Sequence, residues 1–298
     1  MNRRGKEQVR VFSEYGRLSR VLVHGGNTMI LPRELKSLLG KHSSLHLLEE
    51  EKYHPESGVW DRNMLRDQLA DLQNVLWGGR GVRLVYAWNV HDAWTQFFTR
   101  DACFVVGDTL YLGVFRDPIR KLEKRGVEFL KNQFDKVVEL TTPSIEGGDV
   151  FVHGDKVFVG IGRQTTHGAF KELQGHLEPQ GFHCVPVECN ESVLHLDCRF
   201  NIIGPDKAMI LPDGISLSGI ATLEKYFELV VLVGEEHKKS LATNYLIISP
   251  REVIVDERNT QVADILQDAR YRVIPIPFTE PTKVWGGIRC ATCPLVRE

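Results

Sequence analysis

The chain has 298 residues, of which 42% are hydrophobic and 9% aromatic, enough to bury one sizeable core or two modest ones. Its 37 Lys and Arg residues nearly balance 39 Asp and Glu residues, so no overall field draws the chain to nucleic acid or to an anionic membrane. We therefore expect a small-molecule substrate rather than a polymeric one.

The sequence predicts neither a secretion signal nor a membrane span. The basic opening MNRRGKEQVR is followed by VFSEYGRLSR instead of an apolar stretch. No apolar run approaches the roughly 20 residues that cross a bilayer. Six cysteines are too few in a chain of this length to indicate a disulfide framework. We expect a cytoplasmic protein with no membrane contact, and a homo-oligomer stays open.

Short strands rich in β-branched residues alternate with amphipathic helices along the chain. The first segments are RVLVHGG, the helical MLRDQLADLQNVLWG, RLVYAW, ACFVVGDTLYLGVF and the helical PIRKLEKRGVEFLKNQF. They are followed by DVFVHGDKVFVGIG, HGAFKELQGHLEPQ, HCVPVE, FNIIGPDKAMIL, LATNYLIISPREVIVDE and TQVADILQDARYRVIPIP. Residues 42–60 have no clean period and are expected to form an excursion that covers a site. No linker divides the chain, so we expect a single domain over residues 1–298.

One hairpin pattern recurs. The segments VVGDTLYLG, VHGDKVFVG, IGPDKAMIL and ISPREVIVD each read as a strand, a short polar turn and a second strand. With the helix and strand that follow, they make a strand-strand-helix-strand unit repeated at intervals of roughly 50 residues. Such a repeat is typical of a closed ring of units, although the pattern alone fits an open α/β sheet equally well.

The C-terminal segment WGGIRCATCPLVRE is the most informative stretch for chemistry. Paired glycines let the backbone approach a ligand closely and place the following side chain, Cys290, at the edge of a cavity. Cys290 and Cys293 have the Cys-x-x-Cys spacing, which also fits a zinc site, a dithiol redox pair or two buried structural cysteines. Because the sequence has no second such pair, a single nucleophilic thiol at Cys290 is favoured, and no metal is expected.

A nucleophilic thiol needs an acid/base partner, and His195 is the best candidate among 11 histidines. It lies in the segment LHLDC, where strand alternation would put His195 and Asp197 on the same face. A solvent-facing pair at the start of a strand is the alternative interpretation. His24, in VLVHGGN, is a weaker candidate that is expected to end its own strand.

Two acidic residues lie at the starts of other predicted strands. Asp101 in FFTRDACFVV and Glu146 in SIEGGDVFV both precede apolar runs. A buried carboxylate is costly unless it meets a cation, so two converging carboxylates would make a receptor for a planar cation such as guanidinium. Each of them alone could instead be a cap or turn residue.

Taken together and in order, the segments FTRD, IEGGDVFV, GRQT, HLDC, DERNT and GGIRCATCPLVRE resemble the arginine deiminases of the guanidino-group-modifying superfamily. That superfamily also holds the dimethylarginine dimethylaminohydrolases and the arginine amidinotransferases. The resemblance runs from about residue 16 to the C-terminus. It implies an α/β fold, specifically a five-bladed α/β propeller (pentein) of strand-strand-helix-strand units with pseudo-fivefold symmetry, and it favours the ring over the open sheet.

The resemblance also implies roles for the candidate residues. Cys290 would attack the guanidinium carbon, and His195 would protonate the departing nitrogen and later activate water. Asp101 and Glu146 would bind the guanidinium nitrogens, and Asp197 would help to hold the substrate and the histidine. No metal or organic cofactor would be required. The implied reaction is arginine deimination through a thiouronium intermediate on the cysteine, with amidino transfer to an acceptor amine or dihydrolysis to ornithine as alternatives.

Arginine side chains would bind the α-carboxylate of the substrate, and Arg120 and Arg163 stand where two of them are expected. A third is missing, because the stretch ahead of the nucleophile reads KVWGG and places Trp285 near that position. Gly147 and Arg289, which adjoin a carboxylate and the nucleophile, are expected to line the same pocket. The chain also lacks the long helical insertion of the usual deiminase, so the identity of the substrate beyond its guanidinium stays open.

Overall fold

The structure, a computed structural model, describes residues 5–27, 61–93 and 95–298. Their strands form five three-stranded sheets, in each of which the middle strand pairs antiparallel with one neighbour and parallel with the other. The strands are β1 Leu18–Val23, β2 Arg83–Tyr86, β3 Cys103–Val106, β4 Thr109–Leu112, β5 Val137–Glu139, β6 Val150–His153, β7 Lys156–Ile161, β8 His183–Glu188, β9 Phe200–Ile202, β10 Lys207–Ile210, β11 Glu228–Val231, β12 Leu246–Ser249, β13 Glu252–Asp256, β14 Arg272–Ile276 and β15 Cys293–Arg297.

Helical segments connect the two parallel strands of each sheet, because a tight hairpin can join only antiparallel strands. In the described part of the chain the α-helices are α1 Arg62–Trp77, α2 Thr99–Ala102, α3 Leu130–Gln133, α4 His167–Leu177, α5 Leu217–Leu223, α6 Glu235–Lys239, α7 Thr260–Asp268 and α8 Thr279–Thr282. Short 3-10 helices are Pro118–Val127, Gly147–Asp149, Glu178–Gln180 and Leu196–Cys198. None of these described helices is long and apolar enough to cross a membrane.

The hairpins expected from the sequence are confirmed. β3 and β4 pair antiparallel around a two-residue turn, with Val106 opposite Thr109, and β6 and β7 repeat this with His153 opposite Lys156. The first turn residue is Gly107, at φ +60°, a left-handed conformation that favours glycine. The two other hairpins join β9 to β10 and β12 to β13.

The repeat interval is also confirmed. The first strand of successive units begins at residue 103, 150, 200, 246 and 293, so each unit is close to 50 residues long. The last of these strands, β15, pairs antiparallel with β1 near the other end of the chain. One of the five sheets is therefore built from both ends of the described chain.

The amphipathic helix α1 shows how a unit is attached to the core. Leu65, Leu69, Leu72 and Leu76 recur at helical spacing, and all four are buried. The carboxylate of Asp61 caps the helix by accepting from two backbone N–H groups in its first turn, at 2.8 and 3.0 Å. Each buried leucine contributes about 1.5–3 kcal/mol of apolar burial, so this face holds the helix against its sheet.

Two local predictions are wrong. The segment PIRKLEKRGVEFLKNQF was expected to be one helix, but it forms the 3-10 helix Pro118–Val127 and the short helix α3. Proline at its start is compatible with either helix type, whereas Gly126 near its middle weakens a continuous α-helix. The segment LHLDC was expected to be a strand, and it is a turn of 3-10 helix before β9.

Candidate active site

The five units bring polar side chains together from equivalent positions. In each unit these side chains precede the first strand by two to five residues, where the chain enters the sheet. Ion pairs and hydrogen bonds join these side chains across the units. The five sites are Asp101 before β3, Glu146 before β6, His195 and Asp197 before β9, Asn244 before β12 and Cys290 before β15.

Cys290 lies in a tightly packed loop that needs its glycines. A Cβ atom on Gly286 would stand 2.0 Å from the ring of Phe98, and one on Gly287 would stand 2.6 Å from the side chain of Asn244. Neither distance is compatible with a larger residue. The Gly-Gly pair thus lets the loop bury the Cys290 side chain, which is 1% exposed.

The thiol of Cys290 contacts a carboxylate and an amide. Asn244 Nδ2 donates to Cys290 Sγ at 3.1 Å, and the Cys290 backbone N–H donates to Asn244 Oδ1, also at 3.1 Å. Cys290 Sγ donates to Asp197 Oδ2 at 3.4 Å. Burial, followed by the negative charges of Asp197 and Asp101, raises the pKa of Cys290 well above its ordinary value. Without a bound cation, Cys290 is therefore a neutral thiol.

His195 is held between two carboxylates. Its Nε2 lies 3.0 Å from Glu146 Oε2, and its Nδ1 lies 3.8 Å from Asp101 Oδ1. Burial lowers the pKa of His195, but the charge of Asp101 and the hydrogen bond to Glu146 outweigh it and raise the pKa to about 10. The imidazole is therefore protonated at neutral pH, which suits it to donate a proton.

The strand expected at His195 and Asp197 is replaced by a turn, with a clear backbone cause. The Cys198 N–H donates to the His195 carbonyl at 3.1 Å, which closes a 3-10 turn instead of a ladder bond. The two side chains still reach one site, but from different backbone conformations rather than from one strand face. A Cβ on Gly148 would approach the His195 ring within 2.7 Å, so glycine at that position leaves room for the imidazole.

The two carboxylate oxygens of Asp101 differ in their hydrogen bonding. Oδ2 accepts from Arg120 Nη1 at 2.9 Å. Oδ1 is buried and has no hydrogen-bond partner among the described residues. A buried acceptor without a donor is costly, and this one lies beside His195 and close enough to Cys290 to raise the pKa of the thiol. It is an acceptor suited to an N–H group from a bound molecule.

Two functional candidates were not foreseen from the sequence. Asn244 precedes the first strand of its unit, β12, as the other candidate site residues precede the first strands of theirs. Asp149 accepts from the Leu196 N–H at 2.8 Å and from Thr165 Oγ1 at 2.6 Å, and burial raises the pKa of its carboxyl to about 7 although the charge of His195 opposes this. It therefore fixes the turn that carries His195.

The two arginines of the predicted substrate pocket that are buried already have carboxylate partners. Arg120 donates to Glu123 through Nε at 3.1 Å and Nη2 at 2.8 Å, while its Nη1 lies 3.4 Å from Glu146. Arg289 donates to Asp197 Oδ2 at 3.0 Å and to the Val150 carbonyl at 2.8 Å. Both guanidinium groups are thus placed to position acidic residues of the site.

The other predicted substrate contacts are Arg163, Trp285 and Gly147. Arg163 is partly exposed, and its Nη1 donates to the Glu191 carbonyl at 3.5 Å. Trp285 is partly exposed and has φ +63°, an uncommon conformation for a bulky residue. Gly147 faces protein, since a Cβ there would stand 2.1 Å from the Arg100 carbonyl. The expected covering segment, residues 42–60, lies outside the described residues.

Asp101, Glu146 and His195 are also the one group of potential metal ligands found among the described residues, with ligand atoms all within 4.8 Å of one another. Arg120 Nη1 already contacts both of these carboxylates. A guanidinium therefore supplies the positive charge that a metal ion would bring. His24, the other histidine considered, is not a member of this group, and its Nε2 lies 2.9 Å from Asn89 Oδ1.

The comparisons with known proteins place the chain in the superfamily that holds the arginine deiminases, the pentein superfamily. The sequence model of the family described as arginine deiminase matches residues 85–226 and 221–297. The chain belongs to this arginine deiminase family. It is 36% identical over 203 residues to the uncharacterized protein YkgA of Bacillus subtilis strain 168. This match covers 68% of this chain and 70% of YkgA.

Other similar proteins have named activities. An arginine deiminase of Listeria monocytogenes serotype 4b is 25% identical over 250 residues, covering 68% of this chain and 61% of the enzyme, so the chain spans less than two thirds of that relative. Among solved structures, the amidinotransferase SxtG of Microseira wollei has a TM-score of 0.78, 17% identity and 97% coverage of both chains. The N-terminal domain of ArgZ, a cyanobacterial arginine dihydrolase bound to substrate, has a TM-score of 0.77, 17% identity and coverage of 93% and 98%.

Proposed function

We propose that the chain is a cysteine-dependent hydrolase that acts on the guanidinium group of L-arginine or a close derivative, giving citrulline and ammonia. The observation that carries this proposal is Asp101 Oδ1, a buried acceptor without a partner in the described structure, close to Cys290 and His195. A guanidinium N–H group would satisfy that oxygen, and Asp197 would accept from the same planar cation beside the sulfur.

The resting charges suit a reaction that the substrate itself begins. Cys290 is neutral because burial and two carboxylates disfavour its thiolate. A guanidinium cation bound between Asp101 and Asp197 offsets those negative charges, so the thiol loses its proton to solvent once the substrate is in place. The thiolate then attacks the guanidinium carbon and forms a tetrahedral adduct.

His195 would act twice. As an imidazolium, it donates its proton to the departing nitrogen, the carbon–nitrogen bond breaks, and ammonia leaves a thiouronium on Cys290. The neutral imidazole then accepts a proton from water as the water oxygen attacks the same carbon. Collapse of the second adduct breaks the carbon–sulfur bond, releases citrulline and restores the thiol. Glu146, 3.0 Å from Nε2, orients the ring throughout and is assigned to the histidine rather than to the substrate.

The five sheets support a five-bladed α/β propeller with pseudo-fivefold symmetry in a single domain. Each sheet has the same pairing pattern, the repeat interval is regular, and β15 joins β1. The five chain entries that precede the first strands would then converge on one end of the ring. We propose that Arg163 and Trp285, which are partly exposed, contact the part of the substrate beyond its guanidinium.

An amidinotransferase is the second candidate, because SxtG covers 97% of this chain with a TM-score of 0.78. The Cys, His and carboxylate chemistry is shared, and the difference lies in whether water or an amine resolves the intermediate. A dihydrolase that carries arginine to ornithine is a further candidate, which the likeness to the ArgZ domain supports.

Product analysis separates the three reactions. The purified chain is incubated with L-arginine, with and without a panel of acceptor amines, and ammonia, citrulline and ornithine are measured. Citrulline and ammonia without an acceptor is the expected result. Ornithine with two equivalents of ammonia identifies a dihydrolase, and ornithine only with an acceptor identifies a transferase. If the native chain forms none of these products, and so behaves like Cys290→Ser, the arginine assignment is wrong.

A further inference from the structure

The second cysteine of the Cys-x-x-Cys sequence has a partner, but the partner is not Cys290. Cys293 Sγ lies 3.7 Å from Cys103 Sγ, although 190 residues separate them in the chain. Cys293 Sγ also lies 3.2 Å from the Cys103 carbonyl oxygen. Both side chains are fully buried, and the proposed reaction uses neither. We define these two residues as the thiol pair.

The thiol pair joins the two segments that carry the proposed chemistry. Cys103 begins β3 and follows Asp101 by two residues, while Cys293 begins β15 and follows Cys290 by three. The sulfur–sulfur contact therefore connects the strand entry of the guanidinium-binding carboxylate with that of the nucleophile. A covalent bond here would act on both segments at once.

The two sulfurs differ in proton affinity. A hydrogen bond from Cys103 lowers the pKa of Cys293; burial opposes this, and the charges of Arg100 and Arg289 add to the lowering. The same hydrogen bond, together with burial, raises the pKa of Cys103. At rest the Cys293 thiol donates to the Cys103 carbonyl, and of the two thiols Cys293 is the one that gives up its proton more readily.

A metal does not account for the thiol pair. Within the described ranges, the group of metal-ligating side chains at close distance consists of Asp101, Glu146 and His195, and it includes neither cysteine. Two sulfurs alone are fewer ligands than a structural zinc site uses. Two thiols in van der Waals contact, one of them next to buried cations, fit redox chemistry instead.

We propose that Cys103 and Cys293 are a redox modification site that forms a reversible disulfide when the protein meets a small hydroperoxide. The Cys293 thiolate attacks one peroxide oxygen, the oxygen–oxygen bond breaks, and the products are a sulfenic acid and, after protonation, water. The Cys103 sulfur then attacks the sulfenic sulfur, the sulfur–oxygen bond breaks, and the departing hydroxide takes the Cys103 proton as water. Two thiols and one hydrogen peroxide thus give one disulfide and two waters.

The disulfide changes the geometry around the proposed active site. A disulfide bond is about 2.05 Å long, so the two sulfurs must close from 3.7 Å. Because the side chains are packed on all sides, part of this movement is transmitted to β3 and β15 and hence to Asp101 and Cys290. We expect kcat/KM to fall at least about tenfold in the oxidised protein, since misplacement of reacting groups by about 1 Å is costly. This activity readout rests on the proposed function, whereas the cross-link itself does not.

Peptide mapping after mild oxidation tests the proposal. The full chain is treated with hydrogen peroxide, remaining thiols are alkylated, and the protein is digested without reduction. The expected product is a peptide pair joined through residues 103 and 293, which dithiothreitol separates. Cys103→Ser and Cys293→Ser each lack it, whereas Cys184→Ser, which changes a buried thiol outside the pair, keeps it. Using both pair variants protects the test if one of them folds poorly.

Two results overturn the proposal. One is the absence of the 103–293 cross-link at peroxide concentrations that already oxidise Cys290, and the other is a cross-link between residues 290 and 293 in its place. Activity is followed in parallel and should return on reduction in the native chain, whereas Cys103→Ser should show no dithiothreitol-reversible loss. If the cross-link forms but neither the oxidised nor the reduced chain turns over arginine, the proposed function fails and the redox site stands.

Discussion

Asn244 contacts Cys290 through both ends of its amide group. Its Oδ1 accepts from the Cys290 backbone N–H, and its Nδ2 donates to Cys290 Sγ, each at 3.1 Å. The same Nδ2 lies 3.2 Å from the Asp197 carbonyl oxygen. This single side chain, 2% exposed, therefore fixes the loop that carries the thiol and provides a donor that would stabilise a thiolate.

Replacing Asn244 by Ala should slow the reaction by roughly 10- to 100-fold in kcat, since a hydrogen bond to a charged group contributes about 1.5–3 kcal/mol. The pH at which Cys290 reacts half-maximally with iodoacetamide should rise as well, because the thiolate loses a donor. Asn259→Ala, which removes a buried amide bonded to Ser240 instead, serves as a control. An unchanged alkylation profile in Asn244→Ala would show that the amide only packs against the sulfur.

Cys290→Ser should abolish turnover with little change in the free energy of unfolding, because serine is close to cysteine in volume and still meets Asn244 and Asp197. Cys293→Ser should retain most of the activity under reducing conditions, since a hydroxyl can donate to the Cys103 carbonyl as the thiol does. Steady-state kinetics and urea unfolding of both variants check this. Equal loss of activity would instead favour a role for both cysteines in the reaction.

Glu146→Gln should lower the pKa of His195, because the substitution removes a negative charge 3.0 Å from Nε2 while keeping an acceptor there. In the native chain, kcat/KM should fall as the pH rises through about 10, where His195 loses its proton. That alkaline limb should move to lower pH in the variant and stay in place in Glu139→Gln, which changes an exposed carboxylate on the surface.

The same histidine links stability to pH. Its folded-state pKa of about 10 exceeds the ordinary value of 6.5, so the imidazolium stabilises the folded state fully below pH 6.5. That contribution is lost as the pH rises toward 10. Urea unfolding across this range should show a smaller decline for Glu146→Gln than for the native chain. A parallel decline in both proteins would mean that Glu146 does not set the proton affinity of His195.

Arg289→Met should be strongly destabilising, by roughly 3–5 kcal/mol, because it leaves buried carboxylates without their cation. Arg289 contacts Asp197 at 3.0 Å and Glu14 at 3.3 Å, and it lies over the ring of Phe151. The exposed Arg251 provides the matched control, Arg251→Met. Chemical unfolding measures both, and similar free energies of unfolding for the two variants would contradict the positioning role assigned to Arg289.

The sequence predicted the hairpin repeat well because its turn residues and strand lengths are local signals. It singled out Cys290, His195, Asp101, Glu146 and Asp197, which the structure places at equivalent strand entries. Asn244 was overlooked because an Asn before an apolar run usually reads as a turn residue. Aligning the repeated hairpins would have found it, since it precedes β12 by two residues as Asp101 precedes β3.

Other features depend on contacts that local patterns cannot show. The Cys103–Cys293 contact joins residues 190 positions apart, whereas the sequence suggested only the neighbouring Cys290 as a partner. Arg289 was predicted to line the substrate pocket, but its buried contacts depend on Glu14 near the other end of the chain. The turn at His195 also escaped prediction, because a 3-10 turn and the start of a strand have the same short polar and apolar alternation.

Mass spectrometry of the protein quenched in acid during turnover of L-arginine tests the central claim most directly. If Cys290 attacks the guanidinium carbon, part of the protein should gain the mass of arginine less ammonia, and peptide mapping should place that gain on Cys290. The gain should be absent from Cys290→Ser. Arginine turnover with no adduct under any quench time, or an adduct confined to Cys293, would contradict the account.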